Sequence, residues 1–320
     1  MSLLSAGRDL ITLGTVDSDQ ALQTRQRTMS INTWAAAVFA RNEARRIGTC
    51  LDSLLQAHHA TPGRVTVLVN GSTDSTATIV RSIATVHPCI DTVELEQGDK
   101  AASWNHYVHE RRIAADMHLF IDGDVCAQTG FVPAISHAFA QHPDAVAVAA
   151  IPASGRDRAG WSQRMREHGR LAGGLYALRG DWLDGLRRED LHLPHGLIGE
   201  DLFLSCVAKS MLHPGGIYQP SPRLALTDRA TFAFESLSVA RPQDWWTYLK
   251  RLVRYRLRDH QLALLLQRLS EEPHRGMPYD MATLYREAPA LPDYYWRGLQ
   301  TPFDMIAVHH MRRVARQAAR

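Results

Sequence analysis

Between Trp34 and Ile151, short apolar runs alternate with stretches of helical periodicity, and this alternation limits the fold more than any other feature of the chain. Ala35–Ala40 (AAAVFA), Val65–Val69 (VTVLV), Thr92–Leu95, Met117–Ile121 (MHLFI) and Ala145–Ile151 read as strands, and a β-branched run such as VTVLV suits a strand buried on both faces. Between them, Ala44–Ala57 sets Ile47, Leu51, Leu54 and Leu55 on one helical face, and Ala101–Ala115 and Phe131–Gln141 also read as helices. Such alternation predicts an α/β domain with a mainly parallel sheet flanked by helices. Ligands of these sheets bind outside the carboxyl ends of the strands, which is where the polar clusters of this sequence fall. Residues 152–235 read as less regular, and from Gln243 the chain becomes helical up to a basic end, His309–Arg320.

Composition narrows the function classes. Hydrophobic residues make up 45% of the 320 and charged residues 22%, which excludes global disorder and fibrous repeats. A chain of this length buries a core without metal or disulfide staples. The formal charge of +3 is too small to call for a nucleic-acid partner. Four cysteines lie far apart with no CxxC pair, which fits a reducing cytosol. Sixteen histidines form no HxH or HExxH pattern, so the sequence indicates no zinc site. No apolar run approaches the roughly 20 residues of a membrane span, and no basic-then-apolar leader opens the chain. The expectation is a cytoplasmic protein, with peripheral contact at the inner membrane face left open by the basic C-terminus, where Arg312, Arg313, Arg316 and Arg320 accompany Ile306, Val308, Met311 and Val314. Residues 1–30 are polar and aperiodic and read as a mobile N-terminal extension.

Three polar motifs carry chemistry. Asp122-Gly123-Asp124 follows the apolar run MHLFI directly. Residues i and i+2 on extended backbone point to one side, so both carboxylates would face one space. Close like charges repel unless a cation sits beside them, and hard divalent cations prefer oxygen ligands. Gly123 removes a side chain where a phosphate would approach; as a bare dipeptide, Asp-Gly is also an ordinary turn. Asn70–Asp74 (NGSTD) forms a second polar loop after a strand, suited to a base, ribose or phosphate, with Ser72, Thr73 or Asp74 able to cap the following helix. Gly199-Glu200-Asp201 opens a helical run, Leu202–Ala208. Acids there suit the helix dipole, and one of them could also act as a general base.

In this order and spacing, the motifs resemble glycosyltransferases of the GT-A fold, family 2 in particular, over about residues 34–235. Phe39–Glu43 (FARNE) is similar to the family's first-strand end, Thr66–Thr76 (TVLVNGSTDST) to its nucleotide loop, and Gly98–Asn105 (GDKAASWN) to the segment before its next helix. Asp122–Asp124 matches the DxD motif, Gly173–Trp182 (GGLYALRGDW) the acceptor-side segment, and Glu200-Asp201 the ED motif. The resemblance implies a GT-A type fold, Rossmann-like with a C-terminal helical extension. It divides the chain into a nucleotide-sugar half over 31–155, an acceptor half over 156–240 and helices over 241–320. It implies a divalent cation, Mn2+ or Mg2+, held by Asp124 with Asp122. Ala40, Arg41, Glu43, Asn70, Asp74, Lys100, Asp122 and Gly123 would line the nucleotide. Asp201 would be the catalytic base, with Glu200 positioning the acceptor. The implied reaction is inverting transfer from a nucleotide-diphospho-sugar to an acceptor hydroxyl on a small molecule, glycan or lipid-linked molecule. A departure leaves the nucleotide base open: many relatives have Asp where this chain has Val69, which cannot accept a hydrogen bond from uracil. The nearest stretch to the QxxRW motif of processive membrane enzymes is Arg251–Tyr255 (RLVRY), so polymer export is not expected.

Further residues have two readings each. Arg156, Arg158, Arg164, Arg166 and Arg170 would grip a diphosphate or an anionic acceptor, or form a solvated helix face. Gly174, Trp182, His195 and Arg254 are candidate acceptor or donor contacts; Trp182 would equally serve as core and His195 as a surface-loop residue. Arg251, Arg254 and Arg258 share one helical face, which suits either solvent or a phosphate-bearing acceptor. Asp228 is a candidate third metal ligand. Two other classes compete: a nucleotidyltransferase, which usually has a Gly-rich loop after its first strand where this chain has ARNEARR, and a repurposed or non-catalytic nucleotide-sugar binder.

Overall fold

The computed structural model describes residues 31–209, 218–238, 241–272, 275–293 and 296–318. The expected N-terminal extension, residues 1–30, lies outside them. Strand β1 (Trp34–Ala40) is buried along its whole length. It runs parallel to β2 (Gly63–Asn70) on one side and β4 (Met117–Asp122) on the other, while β3 (Ile90–Leu95) extends the sheet beyond β2. Parallel pairing requires a crossover between strands, supplied here by α1 (Ile47–Ala60), α2 (Thr76–Val86) and α3 (Lys100–Asn105). Burial on both faces explains why these strands read as continuous apolar runs rather than alternating ones. All of these strands therefore end at the same edge of the sheet.

The second half of the sheet is mixed. Helix α4 (Phe131–Gln141) leads into β6 (Ala147–Pro152); α5 (Arg158–His168) then leads into β7 (Leu175–Arg179), which lies antiparallel between β4 and β6. After α6 (Gly180–Arg188) and α7 (Glu200–Ala208), β8 (Leu224–Phe234) pairs with β6 and with the short β5 (Val125–Ala127). The order of the 8-stranded sheet is β3-β2-β1-β4-β7-β6-β8-β5. The expectation of irregular structure over 152–235 is thus corrected for the described residues there. Helix α5 escapes a periodicity reading because only Ser162 and Met165 of it are buried. The α3 helix is also shorter than expected: it passes at His106 into a π-helical turn that ends at Arg112, a residue with φ of 46°.

Three C-terminal helices, α8 (Pro242–Glu271), α9 (Met281–Glu287) and α10 (Thr301–Ala318), pack on one another. The second half of α8 buries Leu257, Leu262 and Leu264–Leu266, whereas Trp245, Trp246 and Tyr248 in its first turns are exposed. No helix among the described residues is long and apolar enough to cross a membrane. The four cysteines are free.

One buried group gives the fold a pH dependence. His118 on β4 is 1% exposed, and the Tyr107 hydroxyl lies 2.9 Å from its Nδ1. Burial pushes its pKa down from 6.5 to about 4. The folded protein therefore favours the neutral ring, and the unfolded chain binds more protons between these values. The resulting stability is complete above pH 6.5 and is lost as pH falls towards 4, by about 3 kcal/mol for such a shift. Thermal melting should fall across this window, and His118→Gln should flatten the fall; an equal slope in the variant would reject the assignment.

Candidate active site

The loops leaving β1, β2 and β3 interlock at the carboxyl edge of the sheet. Asn42 N–H donates to Ser72 Oγ (3.0 Å), and Thr73 N–H donates to Asn42 Oδ1 (2.8 Å). Arg41 donates to the Gly98 carbonyl at 3.0 Å. Gly71 has φ of +60°, and a Cβ there would come within 2.5 Å of Gly98 N, so this crossing requires glycine. Asp74 spends its carboxylate on the loops themselves, accepting from Ala44 N–H (3.1 Å), Thr76 N–H (3.0 Å) and the Thr76 hydroxyl. The Thr76 hydroxyl bond holds its carboxyl below the usual range. Helix α2 starts at Thr76 with Ser75 at the N-cap position, so none of Ser72, Thr73 and Asp74 occupies that position; Asp74 reaches the first turn from outside it. Asn70 is buried at the end of β2, with Nδ2 donating to Ser103 Oγ (3.0 Å) and a buried Oδ1 that has no partner. A buried acceptor left open at a strand end fits a ligand donor group.

Below these loops, carboxylates from two segments, the end of β4 and the start of α7, meet around one lysine. Lys100 opens α3, whose N-terminus is capped by Asp99 accepting from Ala101 and Ala102 N–H. Its Nζ lies 2.5 Å from Asp122 Oδ1 and 2.5 Å from Glu200 Oε1. Lys100, expected to line the nucleotide, stands between two acids. Asp201 Oδ2 accepts from Gly173 N–H at 2.9 Å. A Cβ on Gly173 would stand 3.4 Å from Lys100 Nζ and 3.6 Å from both Asp122 Oδ2 and Asp201 Oδ2, so all three groups border this one position. Gly174, the residue singled out from sequence, takes part through its carbonyl, which accepts from Asp122 N–H at 3.4 Å.

On the other side of Asp122, Arg46 lies 3.2 Å from Glu43, 3.6 Å from Asp124 and 3.4 Å from Glu235. Sequence reasoning missed Arg46 and Glu235; the density of charge in ARNEARR was the signal for the first. Burial, reinforced by Asp124, raises the Glu43 pKa to about 7. Burial also raises Asp122 to about 6, with Lys100 opposing and Glu200 and Asp124 adding. Asp201 is raised by burial and by Glu200. Burial alone would lower Lys100, but Asp122 and Glu200 override it and keep the ammonium charged. Crowded, partly desolvated carboxylates with oxygen-only donors fit a hard divalent cation at Asp122 and Asp124.

Several expectations are relocated. Gly123 does not open space for a phosphate: its N–H donates to Phe39 O, and a Cβ would press on Ala40 Cβ and Phe39 O at 3.0 Å, so the missing side chain serves packing on β1. Trp182 lies at the wrong end of the sheet. Because β7 is antiparallel, Leu175 pairs with Ile121 next to Asp122 while Arg179 pairs with Met117, and α6 starts at that far end. Asp228 is engaged by Arg166 at 2.7 Å rather than by the other acids. His195 lies 3.6 Å from Asp99 and packs on Tyr279, lining a cavity of about 340 Å³ with Gln261, Asp280 and Tyr285. Arg254 is exposed on α8. A second cluster that no sequence pattern revealed brings ligand atoms of His109, Asp190 and His192 within 4.8 Å of one another; the two imidazoles are stacked at 3.7 Å.

Buried Gln261 of α8 ties the C-terminal helices to the loop before Glu200. Its Oε1 accepts from Ile198 N–H (2.8 Å), and its Nε2 donates to Gly196 O (3.1 Å) and the Tyr285 hydroxyl (2.7 Å).

The family model described as "Glycosyl transferase family 2" matches residues 36–196, half of the chain. The chain belongs to glycosyl transferase family 2. The family 2 assignment makes it a glycosyltransferase acting with a nucleotide-sugar and sets aside the nucleotidyltransferase and non-catalytic alternatives. Solved structures of similar fold include the mannosyltransferase PcManGT from Pyrobaculum calidifontis in complex with GDP-Man and Mn2+ (TM-score 0.53, 18% identity, covering 94% of this chain and 85% of that one). Another is glucosyl-3-phosphoglycerate synthase from Mycobacterium tuberculosis in complex with Mn2+, UDP-Glc and phosphoglyceric acid (TM-score 0.50, 20% identity, covering 84% and 87%). At these identities the likeness extends to the fold. No curated protein matches the sequence.

Proposed function

We propose that this family 2 enzyme catalyses metal-dependent, inverting transfer of a sugar from a nucleoside-diphospho-sugar to an acceptor hydroxyl, with Asp201 as the general base. The observation that carries the reading is the convergence of Lys100, Asp122 and Asp201 around Gly173 at the carboxyl edge of the sheet. Asp122 and Asp124 would hold a divalent cation, which when bound supplies charge neutralisation for the departing diphosphate. The donor would lie over the interlocked loops, with Asn70 Oδ1 open to its nucleoside and Arg41 and Asp74 keeping the loop geometry. Glu43 would border the metal pair, given its closeness to Asp124 through Arg46. Asp201 accepts the proton of the acceptor hydroxyl, and its raised pKa suits a base that must take up a proton. Lys100 places a positive charge between Asp122 and Glu200. In this reading residues 31–155 serve the donor, 156–240 the acceptor, and 241–320 brace the base-bearing loop through Gln261.

The test is thermal melting of the full chain with UDP, GDP, dTDP and CDP, with and without Mn2+. A nucleotide at a hundred times its Kd adds about 2.7 kcal/mol. One nucleotide should raise the melting temperature only with metal, and Asp124→Asn should weaken that nucleotide at least tenfold. A shift that ignores the metal, or that survives Asp124→Asn, rejects the metal assignment; no shift with any nucleotide or its sugar rejects the donor reading.

A further inference from the structure

The first turns of α8 are surrounded by solvent. Every residue from Trp245 to Lys250 is exposed, and Trp246 is 65% exposed. Further along, the same helix packs normally and buries Leu257, Leu262 and Leu264–Leu266. At about 100° per residue, Trp245, Tyr248, Leu249, Leu252 and Tyr255 share one side of the exposed part, and Lys250, Arg251 and Arg254 share the other. Trp246 lies at the border, with Lys250 Nζ over its ring at 5.3 Å. The acids of this stretch are taken up by other arginines: Asp244 lies 3.1 Å from Arg241, and Asp259 lies 2.7 Å from Arg256 and 3.1 Å from Arg258. That leaves Lys250, Arg251 and Arg254 without a carboxylate partner among the described residues. The basic C-terminus, where the sequence left a membrane contact open, has largely used its apolar side: Val308 and Met311 of α10 are fully buried and Val314 packs on the core, so that only Ile306 of that set stays exposed.

A large aromatic surface in water marks a contact site. Trp and Tyr settle where hydrocarbon meets headgroups, and a helix with such residues on one side and Lys and Arg on the other lies in that boundary, its long cationic stems reaching back to the phosphates. A second copy fits this helix poorly, because a two-fold contact would bring two sets of unpaired cations together. We infer that the first half of α8 docks on an anionic lipid surface, with Trp245, Tyr248, Leu249 and Tyr255 entering the headgroup layer and Lys250, Arg251 and Arg254 meeting its phosphates. The inference does not depend on the donor or on the role of Asp201. Because the same helix carries Gln261, the docked enzyme holds the loop before Glu200 at a set distance from the lipid.

Flotation of the full chain with phosphatidylcholine vesicles, with and without phosphatidylglycerol, tests it. The chain should float with the anionic vesicles and stay behind with the neutral ones, and added salt should weaken the binding. Arg251→Gln together with Arg254→Gln should weaken it about tenfold or more, as should Tyr248→Ser together with Leu249→Ser. Arg313→Gln together with Arg316→Gln, which removes the same charge from exposed positions of α10, should leave it within about twofold. No binding to anionic vesicles, equal binding to neutral ones, or an equal loss from the α10 pair overturns the inference. Sedimentation velocity without lipid reads the competing occupant: a dimer that Tyr248→Ser with Leu249→Ser dissociates assigns this face to a second copy and overturns the lipid seat. The altered side chains are exposed or half-exposed, so each variant should melt with the wild type; should one α8 pair fail to fold, the other decides.

Discussion

Asp201→Asn is expected to lower kcat about a thousandfold while leaving the Kd of the nucleoside diphosphate within about threefold, the range in which general-base removal falls. The amide is nearly the size of the carboxylate, and its oxygen can keep the 2.9 Å bond from Gly173 N–H, so the local fold survives. What it cannot do is take a proton from the acceptor hydroxyl. Single-turnover transfer assays beside calorimetry of the nucleotide separate the two effects. Full turnover in Asp201→Asn would remove Asp201 from the chemistry and leave Glu200, whose carboxylate is held by Lys100 at 2.5 Å, as the next acid to test.

Lys100→Met is expected to destabilise the protein as well as inactivate it. The lysine is 18% exposed and stands between Asp122 and Glu200, the latter only 5% exposed. Removing one partner of a buried ion pair leaves uncompensated charge and costs about 3–5 kcal/mol. The two carboxylates, with Asp201 beside them, would then repel one another. Because Asp122 already titrates near 6, protonation relieves that repulsion as pH falls. The loss of melting temperature in Lys100→Met should therefore be largest near pH 8 and shrink towards pH 5. The opposite trend, or a melting temperature equal to wild type at pH 8, would mean that water and counter-ions already screen these acids. Lys100→Arg should not restore activity, since a planar fork cannot fit between two oxygens each 2.5 Å from a single nitrogen.

Much of this architecture is legible in the amino-acid order because it depends on local pattern. A strand buried on both faces must be apolar throughout, so VTVLV and MHLFI could be placed to within a residue or two of β2 and β4. Polar clusters directly after such strands fall at the ligand edge of a parallel sheet, and Asn70 and Asp122–Asp124 lie there. The same logic fails for residues that depend on strand direction or on partners distant in sequence. Trp182 reads as part of one motif with Gly173 and Gly174, yet the antiparallel course of β7 carries it to the opposite end of the sheet. Gly123 reads as room for a phosphate, but the room is taken by β1. His109 and His192 lie 83 positions apart, so no spacing rule could stack their rings.

The sequence by itself determined the α/β class, the mainly parallel sheet and the setting of acidic motifs at a strand end and a helix start, since burial and turn chemistry act on neighbours along the chain. Only the tertiary structure decided that Lys100 stands between Asp122 and Glu200 and that Gln261 clasps the loop before Glu200. These are electrostatic and hydrogen-bond relations between segments far apart in the chain. Their strength depends on distance and burial, and neither is written in the order of the residues.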